Sequence, residues 1–124
     1  MLASHEEKEA FNFSSKLKLT TKAMFDHVFT RGKKISANKF AIFFCSNDLQ
    51  FPRLGIIVSK KNAKTSVARN KFKRVARESF RINQHNVLGF DIVVLAYKEI
   101  NRLSKKELRE CLEKQLKKLS TFLK

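Results

Sequence analysis

The stretch ARNKFKRVARESFR, residues 68–81, can be accommodated in few ways. At about 100° per residue, Ala68, Phe72, Val75, Ala76 and Ser79 gather on one arc of a helix, with Phe80 at its edge. Arg69, Lys73, Arg74, Arg77 and Arg81 sweep the adjoining arc, and Asn70 lies within it. Such a helix is held in place by burying its apolar side, which can be fixed on a sheet. The other side then presents a rigid row of cations at a rise of about 1.5 Å per residue. A solvated charged face would alternate Glu with Lys in compensating pairs, whereas here Glu78 alone answers six cations, Lys71 included. Planar guanidinium groups on a folded helix suit phosphates, because each can donate two parallel hydrogen bonds and the ordering entropy is already lost on folding. The helix therefore predicts contact with nucleic acid, ahead of an acidic protein partner or a merely solvated face. RNA is favoured over DNA, since neither a dimer nor a helix-turn-helix pair is evident.

The rest of the chain carries the same bias. Its 124 residues hold 27 Lys and Arg against 11 Asp and Glu, a formal charge of +16, which repels other copies and attracts a polyanion. No apolar run approaches the 18 or so residues of a membrane span, and a peripheral membrane role is disfavoured. Cys45 and Cys111 stand far apart outside any CxxC pattern, and the first residues lack a signal-peptide core, so both cysteines read as buried thiols in a reducing cytoplasm. His5, His27 and His85 are scattered. Neither a metal site nor a catalytic residue is expected.

Residues 1–15 mix charge, Ser and Asn without period and read as a mobile leader, which leaves 16–124 as a single domain. Thr20 or Thr21 can cap a helix over TTKAMFDHVFTRG, where Met24, Phe25, Val28 and Phe29 keep helical spacing and Gly32 supplies a stop. KFAIFFCS and RLGIIVS read as strands joined through Asn47, Asp48 and Pro52, and an antiparallel pair is expected of them. A short extended piece over 33–36 precedes them. DIVVLAY, residues 91–97, is a third clear strand of the continuously buried type. Leu108, Leu112, Leu116, Leu119 and Leu123 mark a terminal amphipathic helix. The expected architecture is an α+β sandwich, one sheet covered by helices.

SKKNAKTSVARNKFKRVARESFR also resembles the signature of the bacterial ribonuclease P protein component. In that pattern a KK pair at the end of a strand, here Lys60 and Lys61, precedes a helix carrying Arg69, Asn70, Lys73, Arg74, Arg77 and Glu78. LTTKAMFDHVFTRGKK, DIVVLA and the terminal helix extend the resemblance over roughly residues 17–122. It implies a two-layer αβββαβα sandwich with a left-handed crossover through the basic helix, against the right-handed rule. It also implies a subunit that binds a catalytic RNA and assists removal of the 5′ leader from precursor tRNA. The RNA would carry the chemistry and hold most of the Mg²⁺, with no obligate protein partner.

On that resemblance, Arg69, Asn70, Lys73, Arg74, Arg77 and Arg81 would contact the catalytic RNA. Phe25, Phe29 and Phe43, with Lys60 and Lys61 nearby, would hold the single-stranded leader, since rings stack on bases while cations neutralise phosphates. Without the resemblance, Phe25 and Phe29 at helical spacing read as core. Strand alternation puts Phe40, Ile42 and Phe44 on one face and Ala41, Phe43 and Cys45 on the other, the second being the leader side. A non-catalytic ribosomal or RNA-assembly protein is the competing reading. A protein-only nuclease would need a carboxylate cluster, and the acids of this chain are scattered.

Overall fold

The computed structural model describes residues 17–37 and 39–122. The proposed leader over 1–15, and Leu123, lie outside the described residues. In chain order the elements are helix α1 (Lys22–Arg31), strands β1 (Lys33–Ser36), β2 (Phe40–Ser46) and β3 (Arg53–Ile57), helix α2 (Ser66–Asn83), strand β4 (Phe90–Ala96) and helix α3 (Lys105–Phe122). This is the expected αβββαβα order. Single 3₁₀ turns, Gln84–Asn86 and Lys98–Arg102, flank β4.

Each helix starts where its side chains can satisfy the free N–H groups. Thr21 accepts from the Met24 N–H at 3.2 Å, and Thr65 accepts from that of Ala68 at 3.1 Å. At α3, Ser104 and Glu107 form a reciprocal capping box, both bonds 3.2 Å, which holds the Glu107 carboxyl below its usual range. Helix α1 stops at Gly32 as expected, for a different reason than handedness. Its φ of −87° suits any residue, but a Cβ there would overlap the Val28 carbonyl oxygen and come within 2.6 Å of that of Phe44. Glycine is required because the backbones of α1 and β2 touch.

The sheet runs β1-β2-β4-β3. Here the expected pairing of KFAIFFCS with RLGIIVS fails: β4 lies between them, antiparallel to β2 and parallel to β3. Ile92, Val93 and Val94 are all buried, and a strand apolar on both faces belongs in the middle of a sheet. The turn chemistry itself is present. Asn47 Oδ1 accepts from the Leu49 N–H at 2.8 Å, and Asp48 adopts φ +58°. The turn simply carries the chain past the place that β4 fills.

The faces alternate as expected. Phe40, Ile42 and Phe44 join Ile92 and Val94 in the main core with Phe72, Val75, Ala76 and Phe80 of α2 and Leu108, Leu112, Leu116 and Leu119 of α3. Phe43 and Cys45 turn to the opposite face, where Leu19, Val28 and Val93 form a smaller cluster with Met24, Phe25 and Ile57. Thus α2 and α3 cover one face and α1 covers part of the other.

On the α1 side the network around Asp91 ties β3, β4 and the turn after β2 together. Asp91 is 2% exposed and accepts from Arg53 Nε and Nη2, both at 2.8 Å, and from Asn47 Nδ2 at 2.9 Å. The Cys45 thiol, opposite Asp91 in the β2–β4 register, is pushed up by burial and then by that carboxylate.

Candidate nucleic-acid interface

Register places Lys34, Phe43, Val93 and Gly55 in one row across the sheet, all facing α1. Val28 and Val93 are fully buried in the small cluster, which fixes α1 on the row's centre. The row's two ends are then what α1 leaves open. At one end Phe29 meets Phe43 edge to face, centroids 4.8 Å apart at 76°, and Lys34 Nζ sits 5.6 Å from the Phe43 centroid. Phe29 remains 38% exposed and Phe43 is half-buried.

At the other end, Phe25 lies against the bare backbone of Gly55: a Cβ at that position would overlap the Phe25 ring. The chain segment before α1 closes beside β3, through a Lys18–Leu54 bridge and a Leu19 N–H bond to the Leu54 carbonyl at 2.9 Å. Together these surfaces form an open groove of about 220 Å³ along the edge of β3. Phe25 and Thr20 line it from one side of the sheet, and Lys73 and Arg77 of α2 reach it from the other. Alanine at Gly55 is expected to displace the Phe25 ring and cost about 1–3 kcal/mol, measured as a lower urea midpoint at unchanged m-value.

The basic row of α2 divides by what each side chain touches. Arg74, Arg77 and Asn70 are exposed, and Lys73 is half-buried at the groove. Arg69 turns back and donates to the carbonyls of Ala63, at 2.9 Å, and Lys64, at 3.2 Å, pinning the loop before its own helix. Arg81 pairs with Glu78 at 3.0 Å. Lys71, the remaining cation, donates to the Leu103 carbonyl at 2.7 Å and ties α2 to the connector after β4. From Arg69 to Arg81 the row spans about 18 Å of helix.

The sequence reading assigned the Phe25 side of α1 and the cations of α2 to separate surfaces. The fold brings Phe25 together with Lys73 and Arg77, and separates Lys60 and Lys61 from that groove's lining. Both lysines are exposed in the loop after β3. Lys34, Lys18 and Thr20 were missed: they carry no motif, and only the strand register and the β3 edge put them beside aromatic rings. Among the described residues no group of three or more His, Cys, Asp or Glu could hold a metal ion. No described helix is long and apolar enough to cross a membrane.

The ribonuclease P family profile matches residues 13–120. The ribonuclease P protein component of Aliivibrio salmonicida is 41% identical over 110 residues, covering 89% of this chain and 94% of that protein. That of Nitrosococcus oceani is 38% identical over 105 residues, covering 85% and 88%. Among solved structures, the Staphylococcus aureus RNase P protein superposes with a TM-score of 0.78 at 31% identity, over 83% of this chain and 94% of that one. The Thermotoga maritima RNase P protein gives 0.72 at 36% identity, over 82% and 96%. Sequence and fold agree along nearly the whole described length, and the chain belongs to the ribonuclease P protein family.

Proposed function

We propose that this chain binds the catalytic RNA of ribonuclease P through α2 and holds the single-stranded 5′ leader of precursor tRNA against α1 and the sheet, assisting 5′ maturation of tRNA. The observation that carries the reading is the open groove in which the Phe25 ring stands beside Lys73 and Arg77. An unpaired strand needs such a pairing, because stacking accepts any base while cations follow the phosphates. Phe29, Phe43 and Lys34 offer a second ring-and-cation site on the same face of the sheet. Arg74, Arg77 and Asn70 face solvent and supply the contacts to the catalytic RNA, with Lys73 bridging the two surfaces and Arg81 at the far end of the row. Arg69 acts at one remove by fixing the loop that carries Lys60 and Lys61. The family match favours this subunit role over a non-catalytic ribosomal protein.

The chemistry belongs to the RNA in this reading. Phosphodiester hydrolysis by metal ions needs several convergent carboxylates, and the described acids do not converge on a site that fits a divalent cation. Mg²⁺ is read, on the family resemblance, as held mainly by the RNA, and the protein's part is to bind and position. Purified protein freed of RNA is expected to leave precursor tRNA uncut in Mg²⁺. Cleavage that persisted, and was lost on mutating one of the chain's acids, would overturn the division of roles.

Binding to the catalytic RNA should follow counterion release, the logarithm of affinity falling by about 0.7–0.9 for each phosphate neutralised per tenfold rise in salt. Arg74→Ala and Arg77→Ala are each expected to weaken that binding and flatten the slope by about one contact, while thermal stability stays within about 0.5 kcal/mol because exposed cations contribute little to folding. A filter-binding series from low to moderate salt reads both. A slope that does not change in either variant counts against the arginine row as the contact surface. Asn70→Ala tests direct reading of the RNA, since the Asn70 side chain holds no neighbouring arginine among the described residues; unchanged affinity removes it from the interface.

A further inference from the structure

We infer that the loop between β3 and α2, together with the 3₁₀ turn after β4, forms a phosphodiester-binding pocket that extends the arginine row of α2 along the catalytic RNA. The inference rests on the RNA-binding reading above. The pocket, about 210 Å³, is lined by Lys61, Lys64 and Lys98, by Asn62 and Asn101, and by Thr65 and Ala68 in the first turn of α2. Three cations line it, and among the described side chains no carboxylate does.

Lys98 comes from a segment more than thirty residues from the other two lysines, so the cluster exists only because the two segments are fastened together. Asn101 Nδ2 donates to the Asn62 carbonyl at 2.6 Å and to the Lys98 carbonyl at 3.0 Å. Asn62 Nδ2 donates to the Ala96 carbonyl at 3.1 Å, and Arg69 holds the carbonyls of Ala63 and Lys64 from behind. These bonds commit the side-chain amide nitrogens of Asn62 and Asn101 to backbone carbonyls, and Lys61, Lys64 and Lys98 stay exposed. A cavity whose frame is set by side-chain hydrogen bonds to backbone carbonyls, and whose described charges are all positive, is organised for an anion with several acceptor oxygens. The first turn of α2 adds the favourable end of an eighteen-residue helix dipole to the same space.

The source of the anion follows from position. The pocket shares no lining residue with the groove that holds Phe25, and it lies at the start of the helix whose exposed arginines face solvent. A strand tracking α2 toward its N-terminus runs into it. The occupant is accordingly a backbone phosphate of the catalytic RNA, rather than the leader or a free metabolite.

Two measurements test this. Inorganic phosphate is titrated into the free protein at constant ionic strength, following backbone amide shifts. Saturable shifts at Lys64, Ser66, Val67 and Asn101 are expected, weakened about three- to fivefold by Lys98→Gln and left alone by Lys105→Gln, an exposed lysine outside the pocket. Absent shifts, or equal weakening by both substitutions, would overturn the pocket. The salt dependence of ribonuclease P RNA binding is then compared for the same variants. Lys98→Gln should flatten the slope by about 0.7–0.9, and Lys105→Gln should not. Phosphate shifts with an unchanged RNA slope make it a free-anion site and refute the RNA assignment. A loss confined to precursor over mature tRNA transfers the site to the leader. If the chain bound no ribonuclease P RNA at all while the phosphate shifts persisted, the functional reading would fall and the pocket alone would stand.

Discussion

Replacing Arg53 by Met is expected to destabilise the protein by about 3 kcal/mol, a fall of roughly 10 °C in Tm, although Arg53 touches neither groove nor pocket. The reason is the partner it leaves behind. Asp91 is 2% exposed, and two of its three hydrogen bonds come from Arg53. Without them a buried carboxylate is stranded between β4, β3 and the turn after β2, with the Asn47 amide as its remaining hydrogen-bond partner among the described residues. Arg53 itself keeps 20% of its side-chain surface in water, which is why the loss is put at the lower end for a broken buried pair. Combining Arg53→Met with Asp91→Leu should recover much of the loss, since what is costly is the unpaired charge rather than the missing bridge. Urea denaturation of the two single variants and the double gives the coupling energy directly. A single Arg53→Met variant as stable as the parent would mean that water reaches Asp91 and that the bridge is ornamental.

Replacing Phe43 or Phe29 by Leu is expected to lose about 1–3 kcal/mol of leader-dependent binding, roughly 5- to 150-fold in affinity, for less than about 1.5 kcal/mol of stability. Leucine keeps most of the apolar volume beside Val28 and Val93 and removes the flat face on which a base could stack. Phe29, more than a third exposed, should show the cleaner separation. Phe43 also carries Lys34 over its ring, so its loss releases a cation from the site. Phe25→Leu opens a gap above Gly55 and is expected to cost more stability than the other two. The measurement is the affinity of each variant, assembled with the catalytic RNA, for precursor tRNA and for mature tRNA lacking the leader. On the proposed reading only the precursor reaches this face, so that reading requires a selective loss. Equal losses for both ligands, or a large fall in Tm at Phe29, would return these rings to the role of core.

How far the sequence could be read is seen best at α2 and at β3. The spacing of Ala68, Phe72, Val75, Ala76, Ser79 and Phe80 is enough to say which side of α2 is buried, and all of them are buried except Ala68, which is half-buried. Alternation in β2 likewise separated Phe43 and Cys45 from Phe40, Ile42 and Phe44, because a period of two is a property of the strand's own backbone. The pairing of β2 with β3 was misread on the same evidence, since two apolar runs with turn residues between them form a hairpin only if no better partner intervenes. The better partner, β4, starts more than thirty residues after β3 ends, beyond the whole of α2.

The individual cations divide in the same way. That six of them crowd α2 is legible in the sequence, but Arg69 folded onto Ala63 and Lys64, and Lys71 onto Leu103, are consequences of where the loops came to rest. The sequence by itself determined the main elements, the buried sides of α2 and α3, the alternation along β2, the polyanionic class of partner and the family. Only the tertiary structure decided that Phe25 shares a groove with Lys73 and Arg77, and that Lys98 joins Lys61 and Lys64 around a second cavity. Local periodicity is set by backbone geometry within a few residues, whereas both convergences depend on which strand wins the centre of the sheet, a competition between burials that no short stretch of the chain records.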